Sequence, residues 1–160
     1  MFGIDKELGF SLSTNKYFDD QTKEHFITKE VNQYDFGESM NNIYALHNEV
    51  DILEYSNQEI HLSSNNYGKG RGLYIAELPF NNDNTRLLMR ALYYVANKES
   101  DFNKWHVTNV NCEVHVYPES GYSAIVNNTY DEQTADFYNG EGNIEKIILE
   151  PGEIRWAGIS

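Results

Sequence analysis

Between residues 110 and 157 the chain is cut, about every ten residues, into short apolar/polar alternations closed by turn residues, a pattern that only an antiparallel β unit accommodates well. Residues 110–117 alternate and stop at Pro118, which cannot donate to a ladder. Glu119-Ser120-Gly121 reads as a hairpin turn, with residues 122–127 as the partner strand. Residues 133–138, the turn Asn139-Gly140-Glu141-Gly142, residues 144–149, the turn Pro151-Gly152 and residues 153–157 complete the series. The spacing predicts a small sandwich or open barrel. A unit of roughly 60 residues buries a marginal core, so it is expected to lean on the helix before it.

Upstream the period changes. Residues 43–46 and 50–55 are β-rich, Ser56-Asn57 is a turn signal, and residues 59–65 read as the returning strand. Residues 65–70 read as a loop and 72–78 as a further strand ended by Pro79, giving an antiparallel meander. Asn81, Asn82, Asp83 and Asn84 are all possible N-caps for a helix over 85–96, with Asn97 as C-cap. Leu87, Leu88, Ala91, Leu92 and Val95 are expected to form its one apolar stripe. Lys98-Glu99-Ser100-Asp101 marks the best boundary in the chain. Residues 1–42 are polar and show no clean period, yet carry Phe10, Tyr17, Phe18, Phe26, Tyr34 and Phe36. So long an irregular stretch is unusual in a compact domain, and these rings are expected to dock on a surface outside the chain.

Composition narrows the functional classes. Twelve tyrosines and eight phenylalanines suit pleated, half-buried surfaces. The formal net charge is −13, from 25 acidic and 12 basic residues. Duplex affinity depends on Lys and Arg displacing counterions, so nucleic acid and anionic membranes are excluded as partners. No stretch approaches the ~20 apolar residues of a membrane span, and the N-terminus lacks the pattern of a signal peptide. The cytoplasm is the expected location. The single cysteine, Cys112, cannot form an intrachain disulfide and is expected to face a core. Asn127-Asn128-Thr129 matches a glycosylation sequon, but without an export signal it is read as structural.

The chemical motifs are weak. Gly68-Lys69-Gly70-Arg71-Gly72 resembles a phosphate cradle, but a strand and not a helix follows it, so it reads as a connection between strands. A cysteine nucleophile needs a strand-to-helix turn, which Cys112 lacks. His25, His47, His61, His106 and His115 form no metal-binding motif. Glu113, His115 and Tyr117 share a strand face that is expected to be a solvated polar stripe. Trp105, Tyr117, Tyr122, Tyr130, Tyr138 and Trp156 could stack sugars, with core packing of most of them the ordinary expectation.

Four segments carry a resemblance. They are FGIDKELGFSLSTNKYF, DFGESMNNIYAL, GKGRGLYIAELPFNNDNTRLLMRALYYVANKE and EVHVYPESGYSAIVNNT, which in this order run from residue 2 to residue 129. The chain closely resembles the C-terminal part of the 1,3-β-galactosyl-N-acetylhexosamine (lacto-N-biose/galacto-N-biose) phosphorylases, close relatives of galactosyl-rhamnose phosphorylase. The resemblance implies an α+β chain: residues 1–100 as the tail of an amidotransferase-like α/β middle domain (a β meander plus one helix), and residues 101–160 as a small antiparallel β domain. It implies a parent enzyme that passes galactose from a β-galactosyl disaccharide to inorganic phosphate, releasing α-galactose 1-phosphate. Catalysis would belong to a (β/α)8 barrel that these residues do not include. Phosphate and disaccharide would therefore be met only through that barrel. No catalytic, cofactor-binding or metal-binding residue is carried over, and no cofactor is implied. The implied partners are the barrel and a second copy in a homodimer. The acceptor, N-acetylhexosamine or rhamnose, is left open. A different class of reading is a stand-alone carbohydrate-binding or protein-interaction module, which a flat exposed row of two or three aromatics would favour.

Overall fold

The computed structural model describes residues 4–5, 24–38, 43–45, 49–57 and 59–159. They fall into two compact units, Met1–Asn97 and Lys98–Ser160. Among the described residues both are built on small antiparallel sheets, and helices are few, which is consistent with an α+β or mostly β composition. Among the described residues no helix is long and apolar enough to cross a membrane.

The first unit centres on a three-stranded meander, β3 (Asp51–Ser56), β4 (Glu59–Tyr67) and β5 (Gly70–Ile75), beside the short pair β1 (Ile4–Asp5) and β2 (Tyr44–Ala45). The expected loop at 65–70 is shorter than the polar residues suggested. Asn65, Asn66 and Tyr67 stay in the ladder, Tyr67 pairs with Gly70, and Gly68-Lys69 alone turn the chain. Gly68 has φ +59, as a two-residue hairpin turn of this kind requires. Register slips twice between β3 and β4: Ile52 pairs with Ser63 and Glu54 with Leu62, then Tyr55 pairs with Ile60. Leu53 and His61 are thus the extra residues, and Ile60 and Leu62 reach different apolar clusters despite their spacing of two.

Helix α1 (Asn82–Val95) starts earlier than expected because Asn81 is the cap, its side chain accepting the Asn84 N–H at 2.7 Å. Ala96 is the C-cap, and Asn97, at φ +56, turns the chain away one position later. The expected stripe needs correction. Leu88 and Leu92 are 43% and 54% exposed, whereas Asn84, Leu87, Arg90, Ala91 and Tyr94 are buried. A polar residue and a charged one occupy the inner face because each is hydrogen-bonded there. The Asn84 amide donates to the carbonyls of Asp35 (2.8 Å) and Pro79 (2.6 Å) and accepts the Asp35 N–H at 3.0 Å. Arg90 donates through Nε to the Phe26 carbonyl, lies over the Phe26 ring and approaches Glu30 at 3.4 Å.

Those partners correct a second expectation. Residues 24–38 form no regular strand or α-helix, yet they pack on this unit itself. Ile27 and Val31 join Leu53, Leu62, Leu87, Ala91 and Tyr94 in one core cluster, with Phe26, Tyr34 and Phe36 against it. Asp83 accepts the N–H groups of Asn32 and Gln33, so the polar run at the start of α1 is an anchor for this segment as well as a cap. Phe10, Tyr17 and Phe18 lie outside the described residues.

The second unit begins with a single helical turn, α2 (Glu99–Phe102), where only a boundary was expected. Two three-stranded antiparallel sheets follow. One has the order β10 (Ile144–Leu149), β9 (Gln133–Asn139), β6 (Trp105–Val107); the other has β11 (Ile154–Gly158), β8 (Tyr122–Asn127), β7 (Cys112–Tyr117). Strand β6 has three residues, too few for a period to show in sequence. Val107, Cys112, Ile125, Ala135, Phe137, Ile147 and Leu149, drawn from both sheets, form one core. Each large side chain buried there contributes about 1.5–3 kcal/mol before entropy is counted. Asn127 knits the turns at one end. Its amide donates to the carbonyls of Asp131 (2.8 Å), Glu150 (2.9 Å) and Leu149 (3.3 Å), and its oxygen accepts from the Thr129 N–H and hydroxyl. It is 1% exposed, which closes the sequon to a glycan in the folded unit.

Candidate functional site

In the first unit the two bulges direct polar groups into one cleft. His61, buried among β-strand neighbours, meets the Glu54 carboxylate at 2.7 Å and the Ser56 hydroxyl at 3.2 Å through Nδ1. Its Nε2 lies 3.9 Å from Glu59, and the Phe36 ring stacks on the imidazole at 5.6 Å. Tyr34, Asp35 and Glu38 complete the walls of a cavity of about 350 Å³. Burial first, and then the negative charge of Glu54, push the Tyr34 phenol above its ordinary pKa, so it stays a neutral hydrogen-bonding group.

Acid and hydroxyl share one ring nitrogen here. A hydrolytic triad needs them on opposite nitrogens, so His61 cannot relay a proton from Ser56 to Glu54. The cleft can bind and orient a polar ligand; it does not generate a nucleophile. Reading the histidines by motif missed it, because Glu54 and His61 come from different strands. A signal was present, since a regular hairpin closed by Ser56 and Glu59 would set Glu54 opposite His61.

The other expected residues are placed as follows. The Gly68–Gly72 run is a hairpin. Arg71 lies at the C-terminal end of α1, where its guanidinium donates to the Tyr94 carbonyl at 2.8 Å and covers the Tyr94 ring at 4.2 Å. Cys112 is buried in β7, inside the core and away from any strand-to-helix turn. Glu113 and His115 are exposed and bonded to each other at 3.1 Å. Among the described residues no group of three or more His, Cys, Asp or Glu is placed to hold a metal ion. His47 lies outside the described residues.

The aromatics overturn the expectation of core packing. The register aligns Tyr117, Tyr122 and Gly158 across one outer face, with His115, Ala124 and Trp156 in the next row. Tyr117, Tyr122 and Trp156 are 45%, 54% and 61% exposed, and the Tyr117 and Trp156 rings lie 5.9 Å apart. Tyr130 is fully outside, and Trp105 and Tyr138 are half-buried. Trp105 alone of these rings packs against the core, which isoleucine, leucine, valine and Phe137 otherwise fill.

Comparison with known proteins places this framework. Residues 1–100 match the lacto-N-biose phosphorylase central domain, and residues 105–157 match the lacto-N-biose phosphorylase C-terminal domain. A 1,3-β-galactosyl-N-acetylhexosamine phosphorylase of Lachnoclostridium phytofermentans is 39% identical over 98% of this chain and 22% of its own length. The enzyme of that name from Bifidobacterium longum is 31% identical, over 98% of this chain and 25% of its own. A D-galactosyl-β-1→4-L-rhamnose phosphorylase of L. phytofermentans is 26% identical over 81% of this chain. The chain thus spans a quarter or less of the length of these curated relatives, in which the matching region is one part of a larger enzyme. With both of its units matched and nearly all of its length aligned, the chain belongs to the lacto-N-biose phosphorylase family.

Proposed function

We propose that these residues are the non-catalytic C-terminal portion of a glycoside phosphorylase, a hexosyltransferase that passes galactose from a β-galactosyl disaccharide to inorganic phosphate and releases α-galactose 1-phosphate. The observation that carries this reading is the alignment of almost the whole chain with only 22% of a phosphorylase. Catalysis is assigned to a barrel elsewhere in the polypeptide, with phosphate as nucleophile and no cofactor. The site geometry agrees: His61 is wired to Glu54 and Ser56 through one nitrogen, and Cys112 is buried. Residues 1–100 are assigned to the end of an amidotransferase-like middle domain and 101–160 to a small β domain. Their role is to support the barrel and contribute to a homodimer in the cytoplasm. The test is a chimera in which this chain replaces the matching region of the L. phytofermentans enzyme. It is expected to fold and release galactose 1-phosphate; loss of either would overturn the reading.

A second role is favoured by one observation, the exposed row of Tyr117, Tyr122 and Trp156. The C-terminal unit would then also hold carbohydrate.

A further inference from the structure

The second unit contains a cavity of about 390 Å³ that is distinct from the outer aromatic face and borders the core at Phe137. It lies at one end of the sheets, where β6 and β9 pair Trp105 with Asn139. Its walls carry Trp105, Asn139, Glu141, Glu145, Ser123 and the backbone of Gly158. The volume falls in the range of small-molecule clefts, about 300–1,000 Å³. We infer that this cavity is a binding site for a neutral pyranose sugar, stacked on Trp105 and hydrogen-bonded by Glu141, Glu145 and Asn139. The inference rests on the carbohydrate-holding role of this unit and gives that role a site.

Three observations carry it. The indole is fixed by the chain around it. Phe137 supports it at 6.1 Å, and Gly140, at φ +81, comes so close that a Cβ there would lie 2.2 Å from Trp105 Cε2. That glycine is therefore required twice, for its backbone and for the ring. Next, the loop bearing Glu141 is held in place, because the Asn139 side chain accepts the N–H groups of Glu141 (3.1 Å) and Asn143 (3.3 Å). Finally, the chemistry of the walls is divided. One large ring offers a π-face, whose negative quadrupole attracts the polarised C–H groups of a sugar face. Carboxylates offer strong acceptors for hydroxyls. A cation would be recognised by several exposed rings around it; here Phe137 is buried behind Trp105, and the half-buried indole faces neutral amide and hydroxyl groups as well as acids.

The test is a ¹⁵N-correlated NMR titration of the 160-residue chain. The probes are galactose, N-acetylglucosamine and the β-1,3-linked disaccharide of the two, with mannitol and choline as controls. The chain has two tryptophans, so the indole N–H signals separate the cavity (Trp105) from the outer face (Trp156). Saturable shifts at Trp105 and Glu141 are expected with the sugars alone. Glu145→Ala and Glu141→Ala, both on exposed residues, should each weaken binding about tenfold or more, as for one lost hydrogen bond to a charged group. Saturable shifts confined to Trp156 and Tyr117 would overturn the cavity while leaving the carbohydrate role standing. No saturable shift with any sugar would overturn both. A response to choline or mannitol equal to that of the sugars would overturn pyranose stacking.

Discussion

Asn127→Ala removes one side chain that ties two turns of the second unit together. Two well-placed donations, to Asp131 and Glu150, and two acceptances from Thr129 are lost, together with a longer contact to Leu149. At a net ~1 kcal/mol per bond the four good contacts sum to about 4 kcal/mol. Thr129 and Asp131 are near water, which replaces part of this, so the expected loss is about 3 kcal/mol. For a domain of this size that corresponds to a fall in Tm of roughly 12–24 °C. Both tryptophans, Trp105 and Trp156, lie in this unit, so tryptophan fluorescence follows its melting specifically. Asn127→Asp supplies a second check. It keeps the acceptance from Thr129 but turns a carboxylate toward the carbonyls of Asp131, Leu149 and Glu150. Its folded pKa would be raised, so protonation favours folding and part of the stability returns as pH falls through that pKa. An Asn127→Ala melt within about 2 °C of wild type would refute the reasoning, since a buried amide with these partners has to matter.

Further outcomes follow from the same geometry. Leu87→Asp should unfold the first unit, because a carboxylate without a partner in that core costs several kcal/mol, whereas Leu88→Asp on the exposed side should leave the far-UV circular dichroism melt nearly unchanged. Gly140→Ala should destabilise the second unit by about 1–3 kcal/mol and shift Trp105 emission, while Gly121→Ala, with open space around it, carries only the strain of positive φ, about 1–2 kcal/mol. The Asp101 carboxyl is held low by hydrogen bonds from Lys104 and then Lys98, and that of Glu153 by the Glu150 N–H and then Arg155. Depressed carboxylates stabilise fully above the ordinary carboxylate range and lose this as pH falls through it, so Lys104→Ala should raise the midpoint of acid unfolding slightly, read by fluorescence from pH ~6 down to ~2.

The sequence revealed those parts of the molecule in which spacing repeats. Strands β7 to β11 are marked by alternation between turn residues, and their glycines at 121, 140 and 152 sit at positive φ where turns were expected. What escaped lacks a period of its own. Residues 24–38 are held by side chains of a helix about 50 residues away, so only the folded chain shows that Asn84 and Arg90 face inward and Leu88 and Leu92 outward. Four leucine or alanine positions looked like one stripe because hydrophobicity alone cannot tell a buried, bonded asparagine from a solvated one. The Glu54–His61 cleft was missed for a related reason: its partners come from different strands and meet only once the hairpin is paired, so no local motif marks them. The cavity at Trp105 depends on β6, which is too short to be read from its three residues.

The central proposal is that this chain supports the catalysis of a larger phosphorylase and does not perform it. The most direct measurement is release of galactose 1-phosphate from β-1,3-galactosyl-N-acetylglucosamine and inorganic phosphate by the purified 160-residue chain. The account predicts none above a mock preparation. Turnover that rises with the amount of this chain, and is absent from the mock, would contradict it.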